Sequence, residues 1–153
     1  MSNAANISPA IVEALYEDAL LLAEEARDAF TLGDAPRGLS EAESALRVAL
    51  SCEALRTTTR MMHAIAWLLN HRAYFAGEMS EFQLRRHGRL PPAQPEGDPD
   101  QLALVDGYAR NVIERTKTFY SRIARLDRAW RDHFAMRPEA VHRLRERLGA
   151  AFG

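Results

Sequence analysis

The chain has 153 residues, of which 47% are hydrophobic and 27% charged, and its net charge is −1. This size and composition support one hydrophobic core and exclude a chain disordered throughout, and no apolar run approaches the roughly 20 residues that span a membrane. Its single cysteine, Cys52, excludes an internal disulfide framework, and the first residues lack a signal-peptide pattern, so we expect a cytoplasmic domain.

The charge is unevenly distributed along the sequence. Residues 1–55 carry ten acidic and three basic side chains, whereas residues 56–153 carry seventeen basic and eleven acidic ones. Nineteen of the twenty basic residues are arginine, which a GC-rich genome would also produce. Such polarity can orient two copies of a chain, or two partners, toward each other.

Ser8 and Pro9 have the residue types of an N-cap and a first helical position, and Gly33 is expected to end this first helix. One apolar face follows with helical spacing: Ile11, Val12, Leu15, Ala19, Leu22, Ala26 and Phe30.

The second predicted helix is the longest. Ser40 and Glu43 form a capping box, and no glycine or proline occurs from Glu41 until Gly77. Its main apolar stripe, which we expect to be buried, comprises Val48, Cys52, Leu55, Thr59, Met62, Ala66, Leu69 and Ala73. A second stripe lies beside it: Met61, Ile65, Leu68 and Ala76.

Ser80 and Gln83 predict a short helical turn that ends near Gly88, and residues 88–98 form a Pro/Gly linker. Asp98 and Pro99 then begin a third long helix. Its expected buried stripe is Leu102, Val105, Ala109, Val112, Thr116, Phe119, Ile123, Leu126, Trp130 and His133. Arg137 before Pro138 breaks this run, and a last amphipathic piece carries Val141, Leu144, Leu148 and Phe152.

These elements predict an all-α fold: an antiparallel three-helix bundle over residues 7–136 in up-down-up order, with a C-terminal helical extension over residues 137–153. The first helix is shorter than the second and is expected to cover it only to about His63. The segment 80–90 or a second subunit must then cover the remainder. The candidate protein-interaction face is Arg56, Arg60, His63, Trp67, His71 and Tyr74. Cover by the segment 80–90, homodimer contact and a foreign partner all remain open.

No motif predicts chemistry. There is one Glu-x-x-His spacing, Glu139 to His142, where a di-iron bundle needs two, and Cys52 lies in an apolar stripe without a nearby base. We therefore predict no catalytic, cofactor-binding or metal-binding residues. An alternative is a nucleic-acid-associated regulator whose arginines contact phosphates: Arg122, Arg125, Arg128, Arg131, Arg143, Arg145 and Arg147. Interleaved acidic residues favour a solvated face instead.

One segment carries a family resemblance: SCEALRTTTRMMHAIAWLLNHRAYFAGEMS, over Ser51 to Ser80, supported by RIARLDR at Arg122 to Arg128. Its patterns E-x-L-R-x-T-T-R-x-M, W-L-L-x-x-R-A and G-E-M-S resemble the alphaproteobacterial DUF1465 family, which includes the regulator of CtrA degradation. The resemblance implies a non-enzymatic, homodimeric three-helix bundle. It also implies an adaptor that delivers client regulators of the cell cycle to the ClpXP protease together with a response-regulator partner. No catalytic residues come with it.

Overall fold

The computed structural model describes residues 7–32, 37–135 and 138–152. Within these ranges it contains six helices and no strand, which confirms the all-α prediction. The helices are α1 Pro9–Ala29, α2 Glu41–Phe75, α3 Glu81–His87, α4 Pro99–Leu104, α5 Gly107–Ala135 and α6 Pro138–Phe152.

Local signals in the sequence set the helix starts. The Ser8 side chain accepts a hydrogen bond from the Ile11 amide, and Ser40 and Glu43 form both bonds of a capping box. The 35-residue helix α2 is continuous, as predicted, and Gly77 follows it with φ of 78°. The predicted stop at Gly33 lies outside the described residues, but α1 already ends at Ala29.

The third long helix is not continuous, and in this respect the prediction was wrong. Helix α4 ends at Leu104, Val105 has extended backbone angles, and α5 begins at Gly107 with φ of 59°. Val105 is buried in a small cluster with Ala49 and Ile113. The break therefore inserts the Val105 side chain into the core, and Gly107 supplies the left-handed backbone that the turn requires. The predicted break at Arg137 lies outside the described residues.

Helices α1 and α2 are antiparallel. Glu13, near the start of α1, pairs with Arg72, near the end of α2, at 2.6 Å. Near the other end of α1, Ala26 lines the same groove as Met61. Helix α1 therefore covers the C-terminal half of α2. The expectation that it covers α2 only up to His63 was wrong, because the start of α1 lies beside Arg72 and its end lies near Met61.

Helices α2 and α5 run parallel, so the expected up-down-up order was also wrong. Contacts between them advance together along both helices: Arg60 with Thr116, Trp67 with Asp127, and His71 with Trp130. The reason is the linker of residues 88–98, which contains no helix. Eleven extended residues span roughly 36 Å, enough to return the chain along most of α2 before α4 begins.

The main core lies between α1, the C-terminal half of α2, α5 and the linker. Its largest members include Leu15, Trp67, Leu68, Leu90 and Ile123. The N-terminal part of α2 has only the small cluster around Ala49. No helix within the described ranges is long and apolar enough to cross a membrane.

Candidate protein-interaction surface

A row of large apolar side chains lies on the outside of α2. Val48 is 53% exposed, Leu55 70%, Met62 63% and Leu69 44%. They recur at intervals of seven residues, so they share one side of the helix. We call these four residues the outer strip. This is the stripe that the sequence predicted to be buried, and that prediction was wrong.

The buried side of α2 is rotated away from the outer strip. It comprises Ala49, Glu53, Thr57, Met61, Ala64, Trp67, Leu68 and His71. Met61 and Leu68, which belong to the second predicted stripe, lie on this buried side. Three other residues on the buried side, Glu53, Thr57 and His71, are polar or charged. The sequence therefore contains two helical faces with the same periodicity, and the more apolar of the two is the exposed one.

An apolar groove of about 330 Å³ adjoins the outer strip, between α1 and α2. Its lining includes Ala23, Ala26 and Phe30 from α1 and Met61, Met62 and Ile65 from α2. Met62 belongs to both the groove and the strip. The two features form one continuous apolar surface of the kind that marks protein contacts.

The six residues of the predicted interaction face do not form one open surface. Trp67 and His71 are buried, at 2% and 1% exposure, so for these two residues cover within the chain replaces contact with a partner. Helix α5 covers them, because Trp67 donates a hydrogen bond to Asp127 at 3.0 Å and His71 stacks between Trp67 and Trp130. Arg56, Arg60, His63 and Tyr74 are half-buried, and a partner contact through them stays a prediction.

Trp67, His71 and Asp127 form a buried polar cluster under α5. The pKa of His71 is lowered from 6.5 to about 4, chiefly by burial; Asp127 opposes this shift and Arg131 contributes a smaller lowering. His71 is therefore neutral at neutral pH, and its Nε2 atom has no hydrogen-bond partner. Arg131 bonds Asp127 through Nε at 3.2 Å and so neutralises the buried carboxylate. The cluster joins α2 to α5.

The remaining candidates for chemistry stay apart. No group of three or more histidine, cysteine or acidic side chains within the described part of the chain is placed to hold a metal ion. The side chains of Glu139 and His142 lie outside the described part. Cys52 is a half-buried free thiol. Of the arginine set, Arg122, Arg125 and Arg128 are exposed on α5 and Arg145 and Arg147 on α6.

Comparison with known proteins identifies a family. Residues 3–152 match the model of a family described as protein of unknown function (DUF1465). Neither a curated protein nor a solved structure matches the chain.

Proposed function

We propose that this chain, which belongs to the DUF1465 family, is a non-enzymatic adaptor or scaffold that forms a homodimer through the outer strip of α2. The single observation that carries the proposal is the exposure of Val48, Leu55, Met62 and Leu69 at seven-residue intervals. The resemblance to the regulator of CtrA degradation supplies the remainder: a cytoplasmic, dimeric three-helix protein that delivers cell-cycle regulators to ClpXP with a response-regulator partner.

A second copy fits the outer strip because the strip is self-complementary. In an antiparallel pair centred near Thr58 and Thr59, Val48 of one copy faces Leu69 of the other. Leu55 then faces Met62, and a two-fold axis relates the two contacts, as in most homodimers. The positions four residues after the strip members hold small side chains, which permit close approach of the helices: Cys52, Thr59, Ala66 and Ala73.

Charge at the two ends of the strip favours the same pairing. The first turn of α2 carries Glu41 and Glu43, and its last turn carries Arg72. Antiparallel pairing places the acidic start of one helix near Arg72 of the other copy, but Arg72 already pairs with Glu13 of its own chain, so the attraction between copies is small. A parallel pairing would instead place like charges together.

The energy of this contact limits the affinity that the strip can provide by itself. Each strip side chain is about half exposed, so burying the remainder contributes about 1 kcal/mol. Eight such side chains across two copies give about 8 kcal/mol, against an association cost of about 4–15 kcal/mol. At the lowest cost the net gain is about 4 kcal/mol, so the strip alone supports a dissociation constant of about 1 mM at best. Dimerisation at ~100 µM therefore requires the adjoining groove to contribute.

Analytical ultracentrifugation over a range of concentrations tests the dimer. We expect wild-type chain to dimerise and Leu55→Asp to remain monomeric with an unchanged helical circular-dichroism spectrum. Leu21→Asp is the matched control, because Leu21 is 65% exposed on α1. A wild-type monomer at ~100 µM, or dissociation by Leu21→Asp but not by Leu55→Asp, would contradict the proposal.

A reconstituted degradation assay tests the adaptor role. Purified ClpXP, a candidate regulator as client and a response-regulator partner are combined with and without this chain. We expect the chain to increase the rate of client degradation and Leu55→Asp to reduce that increase. Unchanged degradation in every combination, together with no crosslinks from the chain to protease or client, would exclude delivery as its function.

A nucleic-acid-associated role is the second candidate, and the exposure of Arg122, Arg125 and Arg128 favours it. Their three-residue spacing places them along one side of α5. Binding through phosphates must weaken steeply as salt increases. A gel-shift experiment at low salt decides this candidate, and absence of any shifted duplex or single strand excludes it.

A further inference from the structure

A polar cavity of about 120 Å³ lies where the linker crosses α2 and α5. Three elements line it: Glu53, Arg56 and Arg60 on α2, residues 93–97 of the linker, and Lys117, Tyr120 and Ser121 on α5. It is separate from the outer strip, and the adaptor function makes no use of it. A cavity of this volume is close to the size that admits a small organic molecule such as benzene.

The linker is fastened over this cavity at two points on α5. The Tyr120 hydroxyl donates a hydrogen bond to the Pro91 carbonyl, and Lys117 pairs with Glu96 at 2.8 Å. Directly after the second point, Gly97 approaches α2 so closely that a Cβ atom there would lie 2.6 Å from Glu53 Oε1. The linker is therefore held against α2, and a side chain at position 97 would have to displace the ends of the Glu53 and Arg56 side chains.

The lining carries one positive charge in excess. Arg56, Arg60 and Lys117 are cations, and Glu53 and Glu96 are the two carboxylates among the lining residues. Glu114 lies 3.8 Å from Lys117 but outside the lining. The excess of cations among the lining residues favours an anion of low charge, because Glu114 also acts on Arg60 and Lys117 from outside the lining.

Two arginines of the lining, Arg56 and Arg60, are positioned to bind such an anion. The Nε atom of Arg56 is buried and has no hydrogen-bond partner, which is costly for a donor of a charged group. Arg60 is oriented by a hydrogen bond from its Nη1 to Thr116 Oγ1 at 2.8 Å, and Thr116 itself donates to the Ile113 carbonyl. Burial lowers the pKa of Arg60, with Glu53 and Glu96 opposing that shift. An oxyanion in the cavity would pair with the guanidinium groups of Arg56 and Arg60 and would compensate the desolvation of Arg60.

We propose that the cavity between the linker and helices α2 and α5 binds a small, singly charged oxyanion through Arg56, Arg60 and Lys117. The shared chemistry is two oxygens around one centre with a single negative charge, which a carboxylate and a phosphodiester both present to an arginine fork. Because the anion would contact α2 and α5 beneath the linker, it ties the three elements together. Ligand binding to the folded chain alone also stabilises the fold.

Titration monitored by amide and arginine side-chain NMR tests the site. Sodium acetate and sodium phosphate are added separately at constant ionic strength maintained with sodium chloride. We expect saturable shifts at Gly97 and at the Nε–H of Arg56 for one or both probes, and which probe saturates at the lower concentration separates a carboxylate ligand from a phosphate ligand. Arg56→Gln should weaken binding about tenfold, because one charge-assisted contact is lost.

Two further variants make the outcome decisive. Arg128→Gln removes the same charge from an exposed position on α5 and should bind like wild type. Arg56→Lys retains the charge without the guanidinium group and should show intermediate affinity. It also provides the test of this contact if Arg56→Gln does not fold. The proposal is overturned if neither probe saturates by ~50 mM, if Arg56 variants bind like wild type, or if shifts spread evenly over the surface.

Discussion

Replacing Trp67 by alanine tests whether this residue stabilises the core of the fold or a contact between two chains. The structure buries Trp67 to 2% exposure, and its indole donates to Asp127 at 3.0 Å. Its ring also lies 3.9 Å from that of His71. If this is correct, the substitution must act on folding itself and not on the association of two folded chains.

The expected loss is large. Truncation of a buried tryptophan to alanine costs about 3–5 kcal/mol, and the lost hydrogen bond adds about 1 kcal/mol. The hydrogen-bond term is not larger, because Arg131 still pairs with the Asp127 carboxylate. A domain is usually stable by about 5–15 kcal/mol, so Trp67→Ala removes a substantial fraction of that. Trp67→Phe keeps an aromatic ring and isolates the indole contact, at about 1–2 kcal/mol.

Urea denaturation at low protein concentration, followed by circular dichroism, measures these differences. Leu21→Ala serves as the control, because an exposed leucine should change the free energy of unfolding by only about 0.5 kcal/mol. The reasoning is refuted if Trp67→Ala changes unfolding by less than ~1 kcal/mol while abolishing association. That pair of results would indicate that Trp67 lies at an interface on the surface of the protein and not in its core.

Three smaller predictions concern single sites. Because burial lowers the pKa of His71 to about 4 from 6.5, protons bind the unfolded chain preferentially between these values. Stability due to this group is thus full above pH 6.5 and falls by up to about 3 kcal/mol toward pH 4, and His71→Gln should remove that part of the pH dependence of unfolding. Ser40→Ala should cost about 1 kcal/mol in urea denaturation by removing the α2 capping box. Gly97→Ala should cost about 1–3 kcal/mol by displacing Glu53, whereas Gly149→Ala, with open space around it, should not lower the melting temperature.

Sequence predicted the helices where local chemistry sets their ends. Ser8, Ser40 and Ser80 each cap a helix through their own side chains, and these contacts depend on residues no more than three positions away. The 35 residues of α2 contain no glycine or proline, so its continuity also followed from the sequence. The break before Gly107 did not, because it depends on burying Val105 against Ala49, more than fifty residues away.

Sequence did not predict the direction of α5 or the buried side of α2. Direction depends on whether the linker makes a tight reversal or returns along the bundle, and its prolines are compatible with both. The buried side was misassigned because helical periodicity detects an apolar contact without saying whether it lies within one chain or between two. The regular spacing of Leu55 and Met62 was the available signal for the outer strip, whereas nothing local indicates that His71 is buried.

The two sides of α2 are unfavourable in opposite ways, and together they favour a covered outer strip. Facing the core, Glu53, Thr57 and His71 are buried, and neither Thr57 Oγ1 nor His71 Nε2 has a hydrogen-bond partner. Facing outward, Leu55 and Met62 are mostly exposed to water. Rotating α2 to bury Leu55 would break the Trp67–Asp127 hydrogen bond and move the α2 residues that line the linker cavity. The polar side of α2 therefore stays packed against α5. The free energy lost at the exposed side is then recovered only when another apolar surface covers it, and a second α2 is the surface whose spacing matches.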